Sequence, residues 1–190
     1  MHLEPIWQAP IQQQVYRELI DAFSYPGKIK HFGAVLAHNV ALDAVLATLV
    51  DGEARVADTI GHLDPMQWSR LQAQSVEVSE AQFIVAHGKQ LTQLRPHLGS
   101  LVSPEYGATL LLTVEKFSTD QNQGLTLQLT GPGIETTSTL YVEGLHQAWI
   151  EQRAIWNQDF PLGVDMILVS SDAMVALPRT THIQLQTKEN

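Results

Sequence analysis

The segment Pro161–His182, PLGVDMILVSSDAMVALPRTTH, decides the fold of this chain. Its middle consists of two short apolar runs, Met166–Val169 and Met174–Leu177, and the turn-compatible break Ser170–Ala173 separates them. Short apolar runs bounded by turn-forming residues are typical of strands that are covered on both faces. The segment therefore predicts a β-hairpin whose two strands are largely buried.

Polar residues gather at both ends of this predicted hairpin. Asp165 stands at the entry, and a polar run follows the second strand, consisting of Arg179, Thr180, Thr181 and His182. Because the ends of a hairpin lie side by side, we expect these side chains to meet at one edge of a sheet. The expectation depends on the register of the two strands, since a slip of one residue turns side chains to the other face.

Two interpretations of this polar cluster remain open. In the structural interpretation, Asp165 and Arg179 form an ion pair while Thr180 and Thr181 continue a strand, because structural pairs also create such clusters. In the functional interpretation, Arg179 is the planar donor of an anion-binding or partner-docking site.

The composition is that of a globular protein with few charges. The chain has 190 residues, of which 44% are hydrophobic and 16% charged, and its formal net charge is −9. This length suits one α/β domain, so we expect residues 1–190 to form a single domain with 187–190 as a frayed tail. The negative charge argues against autonomous nucleic-acid binding, which needs a basic face.

Several classes of chemistry lack their residues or motifs. The chain has no cysteine, which excludes disulfides, thiolate catalysis, iron–sulfur ligation and cysteine-type zinc sites on it. The histidines form no His-Glu-x-x-His pattern and no Gly-x-Ser-x-Gly elbow occurs, so we predict neither a metal site nor a serine hydrolase. The N-terminus does not resemble a signal peptide and no apolar run approaches the ~20 residues of a membrane span, so we expect a soluble, cytoplasmic protein.

Helix signals occur at intervals along the chain. Asp64-Pro65 combines an N-cap acceptor with proline at the first helical position, and Gln67 stands where the partner of a capping box belongs. Asn39 is the expected N-cap of a helix that ends near Asp51-Gly52. The other predicted helical segments are Gln12–Phe23, Leu91–Leu98 with an interruption at Pro96, and Leu145–Asn157.

Strand signals alternate with the helix signals. Ala108–Val114 is a continuous apolar run, which is typical of a central strand covered on both faces. Leu125–Thr130 alternates strictly between leucine and polar residues, so we expect a half-buried strand that pairs with the previous one. Glu53–Thr59 and Phe83–Ala86 are further expected strands. The sequence thus predicts an α/β fold in which helices cover a mixed sheet.

Gly131-Pro132-Gly133 follows a predicted strand, as phosphate-binding loops do. The dinucleotide-binding pattern requires a third glycine at position 136, where Thr136 stands. The simpler interpretation is a sharp turn in which Gly131 and Gly133 adopt dihedral angles closed to other residues.

Five short motifs carry a resemblance to a known family. They are Ser24-Tyr25-Pro26-Gly27, Pro104-Glu105-Tyr106-Gly107-Ala108-Thr109-Leu110, Leu129-Thr130-Gly131-Pro132-Gly133-Ile134, Phe160-Pro161-Leu162-Gly163-Val164-Asp165 and Pro178-Arg179-Thr180-Thr181. In the order and spacing of these motifs, over nearly the whole chain, the sequence resembles PhnH, a component of the bacterial carbon–phosphorus lyase core complex.

The resemblance implies a fold that is known from cofactor-dependent enzymes, and the lysines of the chain bear on whether the cofactor is bound. It implies a three-layer α/β/α sandwich with a mixed sheet, similar to the large domain of pyridoxal-phosphate-dependent transferases. That cofactor needs a lysine for its Schiff base. No lysine of this chain stands in a setting that matches the transferase site, so we predict no pyridoxal phosphate and no other cofactor. The lysines are Lys28, Lys30, Lys89, Lys116 and Lys188.

The resemblance also implies a role and partners. Members of the family assemble with subunits G, I and J in organic phosphonate catabolism. The assembly and its partners transfer an alkylphosphonate to the ribose of a nucleoside triphosphate, and a radical step then cleaves the C–P bond. A chain without cysteine cannot hold the iron–sulfur cluster of that step, which must belong to a partner.

Two hypotheses of function follow from the resemblance. In the first, the chain is an essential, non-catalytic subunit, and the Gly131–Gly133 turn and the Arg179 cluster shape a docking or ligand edge. In the second, it is an enzyme or binding subunit that holds phosphonate or triphosphate through Arg179, Thr180, Thr181 and His182. A third possibility, a free-standing homodimer awaiting partners, concerns the oligomeric state and is compatible with the first hypothesis.

Overall fold

The computed structural model describes residues 5–33, 36, 40–119 and 124–186. The described residues form four α-helices and eleven β-strands. The helices are α1 (Ala9–Ser24), α2 (Ala41–Leu49), α3 (Pro65–Leu71) and α4 (Ala148–Trp156). The strands are β1 (Lys30–His31), β2 (Arg55–Asp58), β3 (Gln74–Ser75), β4 (Phe83–His87), β5 (Thr109–Thr113), β6 (Lys116–Ser118), β7 (Leu125–Thr130), β8 (Ser138–Glu143), β9 (Asp165–Val169), β10 (Ala173–Leu177) and β11 (His182–Gln186).

The predicted hairpin is confirmed as β9 and β10. The two strands pair antiparallel, with Met166 opposite Leu177 and Val169 opposite Met174. They belong to a mixed seven-stranded sheet of order β1-β10-β9-β5-β4-β2-β3. Strands β9, β5, β4, β2 and β3 run parallel in it, whereas β10 and β1 pair antiparallel.

The central strand of the large sheet is β5, as the apolar run Ala108–Val114 predicts. It lies between β4 and β9 and pairs with both. Successive side chains of a strand point to opposite faces. Leu110 and Leu112 accordingly join one hydrophobic cluster, and Leu111 joins another on the opposite face. Both faces of the sheet are therefore covered.

The two faces are covered by different kinds of layer. Helices α1, α2 and α3 pack on the face of Leu111. The other face is covered by α4, through Trp149 and Ile150, and by a separate four-stranded antiparallel sheet of order β11-β7-β8-β6. The α/β class with a mixed sheet is confirmed. The second outer layer, however, is largely a sheet rather than the helical layer of the predicted α/β/α sandwich.

The predicted strand Leu125–Thr130 exists as β7, but its predicted pairing is wrong. It pairs with β8 and β11 in the second sheet, and not with β5. Its leucines Leu127 and Leu129 pack onto the large sheet, which accounts for the strict alternation. One of its neighbours is β8, where the sequence patterns predict no strand.

The helix predictions had mixed outcomes. The capping box of α3 is confirmed, since Gln67 N–H donates to Asp64 at 2.7 Å and Asp64 N–H donates to Gln67 at 2.9 Å. The helix predicted for Leu91–Leu98 is absent. Pro96 removes a donor and disfavours helical angles before it, and the four residues left are too few to nucleate a helix.

Two predictions fall on residues that the structure does not describe. Asn39, the expected N-cap, and the tail 187–190 both lie outside the described ranges. Helix α2 itself begins at Ala41, with Val40 in the N-cap position. No helix in the described part of the chain has the length and apolarity to cross a bilayer.

Candidate functional site at the amino-terminal edge of the sheet

Asp165 and Arg179 meet at the edge where the parallel strands begin. Arg179 Nη2 lies 2.7 Å from Asp165 Oδ2, and Nε lies 3.3 and 3.4 Å from the two carboxylate oxygens. The backbone N–H of Arg179 also donates to Asp165 Oδ1 at 2.7 Å. The convergence that the hairpin predicts is therefore confirmed for this pair.

The guanidinium of Arg179 also binds two neighbouring loops. Nη1 donates to the carbonyl oxygens of Pro104, at 2.8 Å, and Pro161, at 3.3 Å. Gly107 lies so close that a Cβ there would meet both Nη1 and Nη2 of Arg179. All three guanidinium nitrogens thus donate to protein acceptors, and the side chain is only 13% exposed. This geometry favours the structural interpretation of the pair.

The polar run after Arg179 forms a turn and not the continuation of a strand. Thr181 N–H donates to the carbonyl of Pro178 at 2.9 Å, and the chain then enters β11 at His182. His182 pairs with Thr130 in the second sheet and its side chain is exposed, whereas Thr181 is buried. The prediction that Thr180 and Thr181 continue a strand is wrong because the chain changes sheets here.

Arg153 is a second guanidinium at this edge. It stands on α4, is only 3% exposed, and donates to the carbonyls of Thr181 (3.0 Å), Leu177 (3.3 Å) and Pro178. Burial lowers its pKa to about 10, while the charge of Asp165 acts in the opposite direction. Arg153 therefore fixes the turn between the two sheets.

Sequence reasoning did not single out Arg153, although a signal exists. Trp149 and Ile150 stand four and three residues before it, on the buried stripe of α4. A charged residue on a buried helix stripe needs hydrogen-bond partners elsewhere in the fold, and this is how the site could have been found.

The Gly131–Gly133 turn packs against the same region. A Cβ on Gly131 would meet the carbonyl oxygen of Thr180 at 2.8 Å, and one on Gly133 would collide with the backbone of Ser24. Their φ angles of 131° and 81° lie in the region that favours glycine. The turn thus joins the first motif of the chain, at Ser24, to the last. Its close packing supports the turn interpretation.

Large apolar side chains are exposed on the two loops that Arg179 binds through Pro104 and Pro161. Leu101 is 77% exposed and Val102 93%, at the tip of a two-residue turn closed by mutual backbone hydrogen bonds of 3.1 Å between Ser100 and Ser103. Phe160, 68% exposed, borders an apolar groove of ≈ 250 Å³ next to Arg179. We call Leu101, Val102, Tyr106 and Phe160 the apolar patch.

The motifs converge on one edge of a two-sheet α/β protein. At this edge of the α/β fold, the motif-bearing loops contact one another and the apolar patch is exposed. The chain belongs to the PhnH family: residues 6–184 match the family described as "Bacterial phosphonate metabolism protein (PhnH)". The resemblance inferred from the motifs is thereby confirmed.

Two relatives agree with this assignment. The chain is 45% identical over 183 residues to a "Putative C-P lyase subunit protein HtxG" of Stutzerimonas stutzeri, covering 95% of this chain and 90% of the relative. It is 26% identical over 202 residues to the "Alpha-D-ribose 1-methylphosphonate 5-triphosphate synthase subunit PhnH" of Rhizobium meliloti (strain 1021), covering 95% and 92%. These homologues support a role in phosphonate metabolism and in a C–P lyase complex.

Proposed function

We propose that this chain is a non-catalytic subunit of a carbon–phosphorus lyase complex and that the apolar patch is its docking surface. The observation that carries the proposal is the exposure of Leu101 and Val102 at a turn tip. Two-residue hairpin turns favour Asn, Asp and Gly, so Leu and Val are unusual residues at these two positions. Exposed apolar patches with a polar rim mark interaction sites.

The hydrogen bonds that all three guanidinium nitrogens of Arg179 donate support a scaffolding role for this edge. Its hydrogen bonds to Asp165, Pro104 and Pro161 hold the loop of Tyr106 beside the loop of Phe160. Preorganised loops lose less conformational entropy on association than mobile ones. A rigid patch is therefore suited to binding a partner protein.

The finer parts of the proposal follow the family resemblance. The partners are subunits G, I and J, with homodimers forming in their absence. The assembly transfers an alkylphosphonate to the ribose of a nucleoside triphosphate, and a partner performs the radical cleavage. The chain acts in the cytoplasm as one domain, 1–190, related to the large domain of pyridoxal-phosphate-dependent transferases but without that cofactor. Bound cofactor in the visible absorbance spectrum of the pure protein would contradict the last point.

Co-expression tests the proposal directly. The tagged chain is produced with subunits G, I and J, captured, and sized by chromatography. We expect a stoichiometric complex that the double variant Leu101→Ser/Val102→Ser fails to form, because the apolar anchors of the patch are lost.

A matched control uses an exposed apolar residue far from the patch. Met66, on α3, is well exposed and lies on the helical face of the large sheet. Met66→Ser should leave capture unchanged. A complex that survives the double variant, or one that Met66→Ser weakens equally, contradicts the choice of surface. Partners that assemble fully without this chain contradict the proposed role.

One observation favours the enzyme or binding-subunit hypothesis instead. A cavity of ≈ 390 Å³ lies between α4 and β11, and Arg153, Arg179, Thr181 and His182 are among its lining residues. Calorimetric titration of the chain with ATP and with methylphosphonate tests it. His182→Ala is the suitable variant, because this exposed side chain carries none of the turn's internal hydrogen bonds described above. Absence of binding heat in the unmutated chain, or binding heat that His182→Ala leaves unchanged, removes this hypothesis.

A further inference from the structure

The opposite edge of the large sheet has the topology of a binding site. Strands β2, β4, β5 and β9 are parallel, so their carboxyl ends lie together at the edge away from Arg179. In open α/β sheets, ligands bind outside the carboxyl ends of the strands, where connections leave toward opposite faces.

Strands β2 and β4 are such a pair of neighbours. The connection after β2 leads through α3, whose Leu71 packs with the helices on one face of the sheet. The connection after β4 contributes Leu94 and Leu98 to the cluster on the other face. The two connections therefore diverge, and a crevice is expected between them.

A cavity of ≈ 260 Å³ lies at this edge. It is smaller than the roughly 300–1,000 Å³ of sites that hold drug-sized ligands, so its occupant must be small. One part of its wall is apolar and another carries imidazole and hydroxyl groups. The wall includes Leu42, Ile60, Val114, His62, His87 and Ser171.

The imidazole of His62 is oriented by a carboxylate. Its Nε2 lies 2.7 Å from Asp43 Oδ1, which also accepts a hydrogen bond from Gln67 Nε2 at 3.1 Å. The hydrogen bond to Asp43 raises the pKa of His62, with burial opposing it and the charge of Asp58 assisting. The other ring nitrogen, Nδ1, contacts no hydrogen-bond partner in the described part of the chain.

The imidazole of His87 has a similar arrangement at the end of β4. Its Nδ1 lies 3.0 Å from Thr113 Oγ1, across the paired ends of β4 and β5. This contact orients the ring and leaves Nε2 without a hydrogen-bond partner among the described residues. Two ring nitrogens at one cavity are therefore available to a ligand.

We propose that this cavity binds a small oxyanion that carries a short alkyl group, with its oxygens on His62, His87 and Ser171. The alkyl group packs against Leu42, Ile60 and Val114. Imidazole N–H and hydroxyl donors form charge-assisted hydrogen bonds with anionic phosphonate or phosphate oxygens. The choice of an alkylphosphonate as the occupant rests on the proposed function. The cavity and its hydrogen-bond donors are observed independently of that function.

Proton NMR of the imidazole rings tests the proposal on the full-length chain. The resonances are assigned with His62→Gln, His87→Gln and His97→Gln, and methylphosphonate, inorganic phosphate and chloride are titrated in turn at constant pH. We expect saturable shifts of His62 and His87 with methylphosphonate, and weaker binding of phosphate because it lacks the methyl group. His87→Gln should weaken methylphosphonate binding about tenfold, as expected for one lost hydrogen bond to a charged ligand.

His97 provides the control at the opposite edge. Its backbone carbonyl accepts from Ala108 N–H just before β5 begins, so its ring is remote from the cavity. The His97 resonance should not shift, and His97→Gln should bind within about twofold of the unmutated chain. Equal shifts of all histidines, or none at millimolar ligand, overturn the site. Phosphate binding as tight as methylphosphonate overturns the alkyl subsite.

The outcome is independent of the capture experiment. A chain that joins the complex but shows no imidazole shift refutes the cavity proposal alone. A chain that binds methylphosphonate but captures no partner refutes the proposed function alone.

Discussion

The two edges of the seven-stranded sheet differ in how their polar groups are used. At the amino-terminal edge, Arg179 and Arg153 donate to Asp165 and to backbone carbonyls, although the buried Nε of Arg153 has no hydrogen-bond partner in the described part of the chain. At the carboxyl-terminal edge, His62 and His87 each have one ring nitrogen in a hydrogen bond and one without a partner among the described residues. The motifs that carry the family resemblance lie at the first edge, beside the cavity of ≈ 390 Å³ that Arg153 and Arg179 line, whereas the smaller cavity of ≈ 260 Å³ with its two imidazoles lies at the second.

If the cavity proposal holds, dense sequence motifs need not mark the place where a ligand binds. Gly107 and Gly131 are required because the backbone or a guanidinium comes very close to them. Such residues mark close packing. The polar groups that we propose to bind a ligand, His62, His87 and Ser171, follow or end strands of the sheet, in sequence settings without a recognisable pattern.

The largest expected effect at the amino-terminal edge is that of Arg153. Arg153→Met removes the donor of three carbonyls at the turn into β11. We expect the free energy of unfolding to fall by about 3 kcal/mol, since buried carbonyls lose their partner. Urea denaturation measures the change. Arg153→Lys should lose less stability than Arg153→Met, because the ammonium can still donate hydrogen bonds. A loss below about 1 kcal/mol for Arg153→Met would show that water replaces the guanidinium.

Asp165→Ala should have the next largest effect. It leaves the partly buried guanidinium of Arg179 without its carboxylate, and we expect a loss of about 2 kcal/mol in the free energy of unfolding. The exposed pair Lys89–Glu115, at 2.8 Å, is the control. Glu115→Ala should change the stability far less, because solvent screens an exposed pair. Equal losses in the two variants would mean that the edge position of Asp165 has no special importance.

Gly107→Ala tests the close packing of the motif loops. A Cβ at this position would collide with the carbonyl of Gly163 and approach both terminal nitrogens of Arg179. We expect a loss of about 1–2 kcal/mol, because the loops must move apart. At Gly52 the nearest atoms lie 3.8 Å away, so Gly52→Ala should be close to neutral. Thermal melting of both variants measures the difference, and equal melting temperatures for Gly107→Ala and Gly52→Ala would contradict the prediction.

The carboxyl-terminal edge should contribute less to stability, and its contribution should depend on pH. The pKa of His62 is raised in the folded chain by Asp43. The stabilisation from this pair is therefore fully present below the unfolded-state pKa of ~6.5 and is lost as the pH rises through the folded-state pKa. We expect His62→Gln to cost under about 1 kcal/mol at pH 5 and less at pH 9.

Chemical denaturation of the chain and of His62→Gln at the two pH values measures that difference. Asp43→Asn should abolish the pH dependence of the difference, because the carboxylate causes it. A variant that is destabilised more strongly at pH 9 than at pH 5 would contradict the assignment of the pair.

Local patterns predicted the elements that depend on neighbours in sequence. The capping box of α3 and the apolar run of β5 were predicted because each signal lies within a few residues. The Asp165–Arg179 contact was also predictable, since hairpin geometry brings the two together. The partner of β7 was not, because β11 and β8 are chosen by packing over the large sheet.

The contacts of Arg153 and His62 could not be predicted either, because their partners are also distant in sequence. Arg153 binds carbonyls 24 to 28 residues away, and His62 meets Asp43 across 19 residues. Neither contact leaves a spacing that can be recognised in the sequence. The crevice beside His87 depends on which faces the connections of β2 and β4 cross, which only the topology specifies.

The central strand β5 has a consequence for how the protein opens. Neighbouring leucines of this strand belong to different cores, Leu110 and Leu112 to one and Leu111 to the other. Neither layer can detach without exposing one face of the same strand to water. We therefore expect the amide protons of β5 to exchange with solvent only through a single cooperative opening that involves the helical layer and the second sheet together.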